Sequence, residues 1–353
     1  MAATPDGRYI PAVPYAPLRT RRILIVRFSS VGDILLITPL VRAIRQRYAD
    51  CHLTVLTERV FRPLLSDNPK IDRILELRDG ISLTRLAREI RHTRYTHKLD
   101  LQGDRRSRLL RTLTPGNWSS SSNRRLASGI LIRLKRNRYA GIAPSVAERY
   151  FEAARTLEVA PDGKPAEFPL GDDAHRHADR WLLANDLNGT RPWVALAPRM
   201  ASETKCWPVS HWITLVRELA ADGIDSVIVG APEDVLVCEQ IAAAGGDRSN
   251  SVAGTFGLQR SGALIARARA LVTGENGYMH MATAVGTPVV ALFGPTVRHF
   301  GYQPYGAPSV VLERSLACRP CSVEGGPRCP LGHHRCLRDI QPQTVRRALD
   351  QWL

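Results

Sequence analysis

Three short stretches carry residue types suited to group transfer involving a phosphorylated compound. The first is "ENGYMH" at 275–280, between an apolar β-prone run and a helix-prone one. A helix starting there offers unbonded backbone N–H groups and about half a positive charge to an anion. Gly277 lets the backbone approach phosphate oxygens, and His280 adds a donor one turn into the helix. Glu275 and Asn276 lie at the strand's carboxyl end, where open α/β sheets bind ligands, and Glu275 suits sugar or ribose hydroxyls. The plainer reading makes Asn276 a helix cap and His280 a core residue. The second stretch is "APRMASETKCWP" at 197–208, in which a polar loop containing Ser202 leads to Lys205. A lysine is a compact charge suited to a departing diphosphate, unless it is merely a solvated surface charge. The third is "SSVGD" at 29–33, where Asp33 is either a helix cap worth ~0.5–2 kcal/mol or a general base that deprotonates an attacking hydroxyl.

For these stretches to cooperate, strands and helices must bring them together. "RILIVRF" (22–28) reads as a strand, followed by a helix with Leu36, Leu40, Ala43 and Ile44 on one face and by a strand at 52–58. This order predicts a parallel sheet, continued by a helix over 82–92, a strand over 95–101 and a helix over 145–157. "TLTPGNWSSSSNRR" (112–125) reads as a mobile loop. After a linker at 160–173 and a lead-in helix, a second series follows, with strands at 193–199, 225–234, 270–274 and 288–294. Helices are predicted over 210–223, 261–269 and 279–286, and a last helix carries Val345, Ala348, Leu349 and Trp352 on one stripe. The fold class is therefore α/β, with two Rossmann-like parallel-sheet domains. An amino-terminal extension at 1–21 precedes them; the first domain is 22–165 and the second 175–353, which includes a cysteine-rich segment at 318–336.

The chain of 353 residues suits two domains, since single cores stop growing near ~250–300 residues. No apolar run approaches the roughly 18 residues of a membrane span, and the first 22 residues lack a secretory signal's apolar core, so a cytoplasmic location is expected. The formal charge of +16 points to anionic partners, and residues 84–138 hold 15 Lys or Arg against three acids, Glu89, Asp100 and Asp104. No pair of glycines is separated by one residue, so the G-x-G-x-x-G fingerprint and the Walker A loop are both absent. No D-x-D pair is present either, so a diphosphate held here must be neutralised by protein groups. Cys318, Cys321, Cys329 and Cys336 form a C-x2-C-x7-C-x6-C pattern that suits a structural zinc or iron, reduced thiols or disulfides.

Together, "ILIVRFSSVGDILLITPLVRAIR", "DLQGDRRSR" (100–108), "KCWP" (205–208) and "ENGYMHMATAVGTPVVALFGPT" resemble glycosyltransferase family 9, the ADP-heptose:lipopolysaccharide heptosyltransferases, over about residues 22–345. The resemblance implies a GT-B fold with its active site in the cleft between two Rossmann-like domains. It implies inverting, metal-independent transfer of heptose from ADP-heptose to the lipopolysaccharide inner core, with no cofactor needed for catalysis. On it, Asp33 is the catalytic base and Lys205 the diphosphate lysine. Ser202, Glu233, Glu275, Asn276, Gly277 and His280 bind the donor, with Glu233 near the nucleoside. Arg105, Arg106 and Arg108 receive an anionic lipid-linked acceptor, and the basic face touches the inner membrane from the cytoplasmic side. Two departures bear on the donor sugar: Glu275-Asn276 stands where the family has Asp-Ser/Thr, and Met200-Ala201 where hydroxyl residues are common. A transferase using another nucleotide sugar, an epimerase, a nucleotide-sugar sensor and a basic nucleic-acid-binding protein are the alternatives. All transferase readings require Asp33 to face Lys205 and Gly277 across one gap.

Overall fold

The computed structural model describes residues 20–78, 83–121, 125–134, 143–187, 189 and 191–353. Nearly all of the amino-terminal extension, Lys135, Arg136 and Arg138 of the basic segment, and positions 122–124 of the expected loop lie outside them.

The first half runs β1 (Arg22–Val26), α1 (Val31–Leu36), α2 (Thr38–Arg47), β2 (His52–Glu58), β3 (Arg73–Leu77), α3 (Leu83–Thr93), β4 (His97–Asp100), α4 (Arg105–Leu113), β5 (Trp118–Ser120), α5 (Arg125–Leu134) and α6 (Val146–Tyr150). Its five strands are all parallel, in the order β3-β2-β1-β4-β5. Ile23, Leu24, Ile25 and Val26 of the central strand are wholly buried, as a strand covered on both faces requires. Pro39 sits in the first turn of α2, where its missing N–H costs nothing, and splits the predicted helix into two. The expected loop at 112–125 is corrected: α4 reaches Leu113 and β5 pairs with β4 as an edge strand.

The second half runs α7 (Asp172–Ala184), β6 (Trp193–Ala197), α8 (Val209–Ala221), β7 (Asp225–Ile228), α9 (Val235–Ala243), β8 (Ser249–Ser251), α10 (Leu258–Ile265), β9 (Leu271–Gly274), α11 (Gly277–Val285), β10 (Val289–Phe293), β11 (Ser309–Glu313), α12 (Arg335–Arg338) and α13 (Pro342–Leu349). Its sheet is also parallel, with order β11-β10-β9-β6-β7-β8. The terminal helix α13 buries Val345 and Leu349 in the cluster formed by Trp207, Trp212 and Ile228, so it belongs to this half.

The chain crosses between halves within one peptide link. Glu167 is tied to the first half: its N–H donates to Thr38 Oγ1 at 2.7 Å, and its carboxylate pairs with Arg42 at 3.0 Å and Lys70 at 3.0 Å. Phe168 is tied to the second, its N–H donating to the Ala284 carbonyl at 3.2 Å. Just before the crossing, Asp162 holds the buried Arg42 guanidinium through two bonds of 2.7 Å.

Candidate active site

The turn after β1 and the turn after β9 meet directly, because α1 and α11 touch near their amino-terminal ends through paired glycines. A Cβ on Gly32 would fall 2.4 Å from His280 Cδ2, and a Cβ on Gly277 would fall 2.7 Å from Val31 Cβ. Only residues without a side chain permit so close an approach. The three stretches singled out in the sequence are thereby gathered at one gap.

Asp33 is buried and does two things at once. Its Oδ2 accepts from the Ser30 N–H at 3.2 Å and Ser30 Oγ at 3.1 Å, closing a capping box, and meets Arg27 Nη2 at 2.7 Å. Its Oδ1 accepts from the Tyr150 hydroxyl at 3.2 Å. The capping box and the Tyr150 bond thus use different oxygens of Asp33. Burial opposes the Arg27 charge, but Tyr150 and Asp33 beside it more than offset this, holding the guanidinium above its ordinary range. Burial raises Tyr150 well above the usual phenol value, and the Asp33 charge followed by burial does the same to Tyr302, so both remain proton donors.

Across the gap, Lys205 Nζ lies 2.9 Å from Glu275 Oε1, and the Thr296 hydroxyl donates to Glu275 Oε2. Burial raises the Glu275 carboxyl, while Lys205 and Thr296 act to lower it. One of the three ammonium donors of Lys205 is therefore engaged by Glu275. His280 is fully enclosed and pushed down to about 4, chiefly by burial, with Asp33 opposing and Lys205 assisting the shift. It is a neutral imidazole at physiological pH, and its Nδ1 has no hydrogen-bond partner among the described residues. Asn276 caps α11: its Oδ1 accepts from the Met279 N–H at 3.0 Å and Thr273 Oγ1 at 3.2 Å, while Nδ2 donates to the Arg199 carbonyl at 3.2 Å. That side chain shapes the turn. Met200 is buried with its Sδ against Gly274. Glu233 stands exposed in the turn after β7.

A cavity of about 60 Å³ is lined by Arg27 and Tyr150, both bonded to Asp33, and among others by Gln102, Arg149 and Tyr302. Arg149 also reaches the second half, donating to the Phe300 carbonyl at 2.9 Å. The expected acceptor arginines stand exposed at the start of α4 beside this cavity. Arg106 pairs with Glu58 at 2.7 Å and covers the Phe28 ring, Arg108 donates to the Gly103 carbonyl at 3.4 Å, and Arg105 faces outward. Sequence reasoning overlooked Arg27, Arg149, Tyr150, Thr296 and Tyr302. Arg27 carried a usable signal, a cation at the carboxyl end of the first strand, and Thr296 ends the quoted stretch that starts at Glu275; Arg149, Tyr150 and Tyr302 come from distant parts of the chain.

The cysteine cluster does not gather into a metal site. Among the described residues no group of three or more His, Cys, Asp or Glu side chains is arranged to hold a metal ion. Cys336 is buried and pushed up to about 11, chiefly by burial, with Cys321, Cys329 and Cys318 adding to the rise. Cys318 Sγ and His333 Nε2 stand 3.9 Å apart, a weak contact between two side chains.

Comparison with known proteins identifies the family and the fold. The family model for glycosyltransferase family 9 (heptosyltransferase) matches residues 83–329. The lipooligosaccharide heptosyltransferase 2 of Haemophilus ducreyi is 28% identical, over 94% of this chain and 99% of its own length. The structure of the E. coli ADP-heptose LPS heptosyltransferase II superposes with a TM-score of 0.71 at 26% identity, covering 94% of this chain and 98% of that one. A family 9 glycosyl transferase from Veillonella parvula superposes with a TM-score of 0.78 at 20% identity, covering 94% and 97%. The two facing parallel sheets are those of the GT-B arrangement. The chain belongs to glycosyltransferase family 9, the heptosyltransferase family, and is a glycosyltransferase.

Proposed function

We propose that this protein transfers heptose from ADP-heptose to the inner core of lipopolysaccharide, with inversion and without a catalytic metal. The observation that carries the reading is the meeting of Asp33, from the first half, with Lys205, Glu275 and His280, from the second, at the glycine contact between α1 and α11. The acceptor hydroxyl enters from the cavity side, where Arg27, Arg149 and the α4 arginines Arg105, Arg106 and Arg108 offer positive charge to its carboxylates or phosphates. Asp33 Oδ1 takes the hydroxyl proton as the oxygen attacks the anomeric carbon. The bond from that carbon to the diphosphate breaks in the same displacement, so the configuration inverts.

Lys205 and the backbone N–H groups at the start of α11 meet the charge that develops on the leaving ADP. Lys205 keeps two N–H donors for phosphate oxygens beyond the one given to Glu275. Glu275 binds hydroxyls of the transferred sugar, His280 packs beside it on the donor side against Gly32, and Glu233 and Ser202 belong to the nucleotide side. Residues 22–165 serve the acceptor and residues 175–353 the donor. No helix among the described residues is long and apolar enough to cross a membrane. The basic face would instead rest on the anionic leaflet, at about 1 kcal/mol per nearby Lys or Arg.

The test is Asp33→Asn. Turnover of ADP-heptose onto a deacylated inner-core acceptor should fall by at least ~10³-fold, while ADP-heptose still binds by calorimetry. Undiminished turnover would return Asp33 to its capping box alone. A chelator in excess should leave the wild-type rate unchanged, and a rate that collapses with EDTA and returns with a divalent cation would overturn the metal-free step.

A further inference from the structure

The cysteine-rich segment, to which the proposed transfer assigns no step, lies against the supports of both partners in the Lys205–Glu275 pair. On the lysine side it grips Thr204. The Gly326 N–H donates to Thr204 Oγ1 at 2.8 Å, and the Thr204 N–H donates to the Gly326 carbonyl at 3.1 Å. Ser202 Oγ donates to the same Gly326 carbonyl at 2.9 Å. His334 Nε2 stands 2.8 Å from the Thr204 carbonyl, which can only accept, so that ring nitrogen carries the proton. Gly325 has φ +87°, and a Cβ there would lie 2.3 Å from Ser202 Oγ and 3.2 Å from Lys205 Cγ. On the glutamate side, Arg319 is almost wholly buried and donates through Nη2 to the Thr296 carbonyl at 2.7 Å. Thr296 is the residue whose hydroxyl holds Glu275.

This placement matters because the lysine loop has little structure of its own. Glu203–Lys205 is a single 3-10 turn, and a lysine side chain has four rotatable bonds to order. Its position must be supplied from outside. We propose that residues 318–336 are a brace that sets Lys205 against Glu275, and that His334 is a positioning residue for the lysine during donor turnover. This rests on the reading that Lys205 meets the donor's diphosphate. The spacing of 122 and 130 residues between Thr204 and its two partners makes the brace a tertiary device, separate from any chemistry of the thiols.

His334 has φ +48°, so the informative variant is His334→Asn, which accepts that backbone conformation but cannot reach Thr204. His334→Gln restores reach and a donor. Since a misplacement of about 1 Å can cost ~10²-fold, His334→Asn should lower kcat/KM for ADP-heptose by about tenfold or more. The acceptor KM should stay within about twofold, and His334→Gln should recover most of the loss. Amide hydrogen exchange at 202–206 should speed up in His334→Asn and not in His334→Gln. If wild type turns over ADP-heptose and His334→Asn does so equally well, the brace is refuted. Equal losses toward donor and acceptor that track a lowered Tm would refute it too, since they would indicate general destabilisation. If wild type neither binds nor uses ADP-heptose, the functional reading fails, and the exchange measurement alone decides the brace: faster exchange upholds it, unchanged exchange refutes it.

Discussion

Replacing Gly32 with alanine tests whether the α1–α11 contact belongs to the working enzyme. The added methyl would lie 2.4 Å from His280 Cδ2, whereas ordinary contact begins at 3.4 Å, so about 1 Å must open. The imidazole cannot retreat, because it is fully enclosed and its helix also buries Met279 and Met281. Nor can α1 slide along α11, because Val31 already fills the space left by Gly277. The two helices must therefore separate. Overpacking of this kind costs about 1–3 kcal/mol, and alanine's better helix propensity returns about 0.5–1 kcal/mol. The net loss is about 0–2.5 kcal/mol, a Tm lower by at most a few degrees in a protein of this size. The catalytic penalty is larger, up to ~10²-fold for 1 Å between Asp33 and the donor. Scanning calorimetry beside steady-state kinetics would separate the two: a small drop in Tm with a large drop in kcat is expected. Unchanged turnover in Gly32→Ala would show that α1 and α11 stand apart during catalysis, and the closed geometry used above would be wrong.

Three further expectations follow from the same site. His280 binds a proton in the unfolded chain near pH 6.5 but only near 4 when folded, so stability present above about 6.5 is lost as pH falls toward 4, by up to about 3 kcal/mol. Urea midpoints at pH 7 and 4.5 should differ less in His280→Gln than in wild type; an equal difference would place the acid sensitivity elsewhere. Arg27→Met leaves the buried Asp33 charge without its partner and should destabilise by about 3–5 kcal/mol. Adding Asp33→Asn to it should restore much of the stability and none of the activity, and strictly additive losses in that double-mutant cycle would deny the coupling.

The sequence revealed the fold's centre better than its edges. The strands β6 and β10, and β1 after Arg22, are continuous apolar runs, as strands covered on both faces are. The sequence concealed β5, whose three residues are Trp118, Ser119 and Ser120 at a sheet edge with one partner, and neither length nor apolarity marks such a strand. It likewise concealed α4, whose four arginines in nine residues mask the buried Ser107 and Leu110. Among the site residues, Asp33, Lys205, Gly277 and His280 announced themselves by lying at strand-to-helix turns. Tyr150 did not, since its link to Asp33 spans 117 positions and leaves no local pattern. The departure at Glu275 acquires a physical account: the longer side chain reaches both Lys205 and Thr296. The cysteine-rich segment was legible as a motif and illegible as a place, because its bonds to the lysine loop are long-range.

The crossing between Glu167 and Phe168 limits how the enzyme can breathe. Glu167 is moored to Thr38, Arg42 and Lys70, and the next residue to Ala284, so the tether has no slack to pay out. The halves cannot drift apart along the line joining them without tearing one set of moorings. What remains is swivelling about that joint. A rotation of a few degrees there moves atoms in proportion to their distance from it, so the entrance widens most at the rim farthest from residue 167.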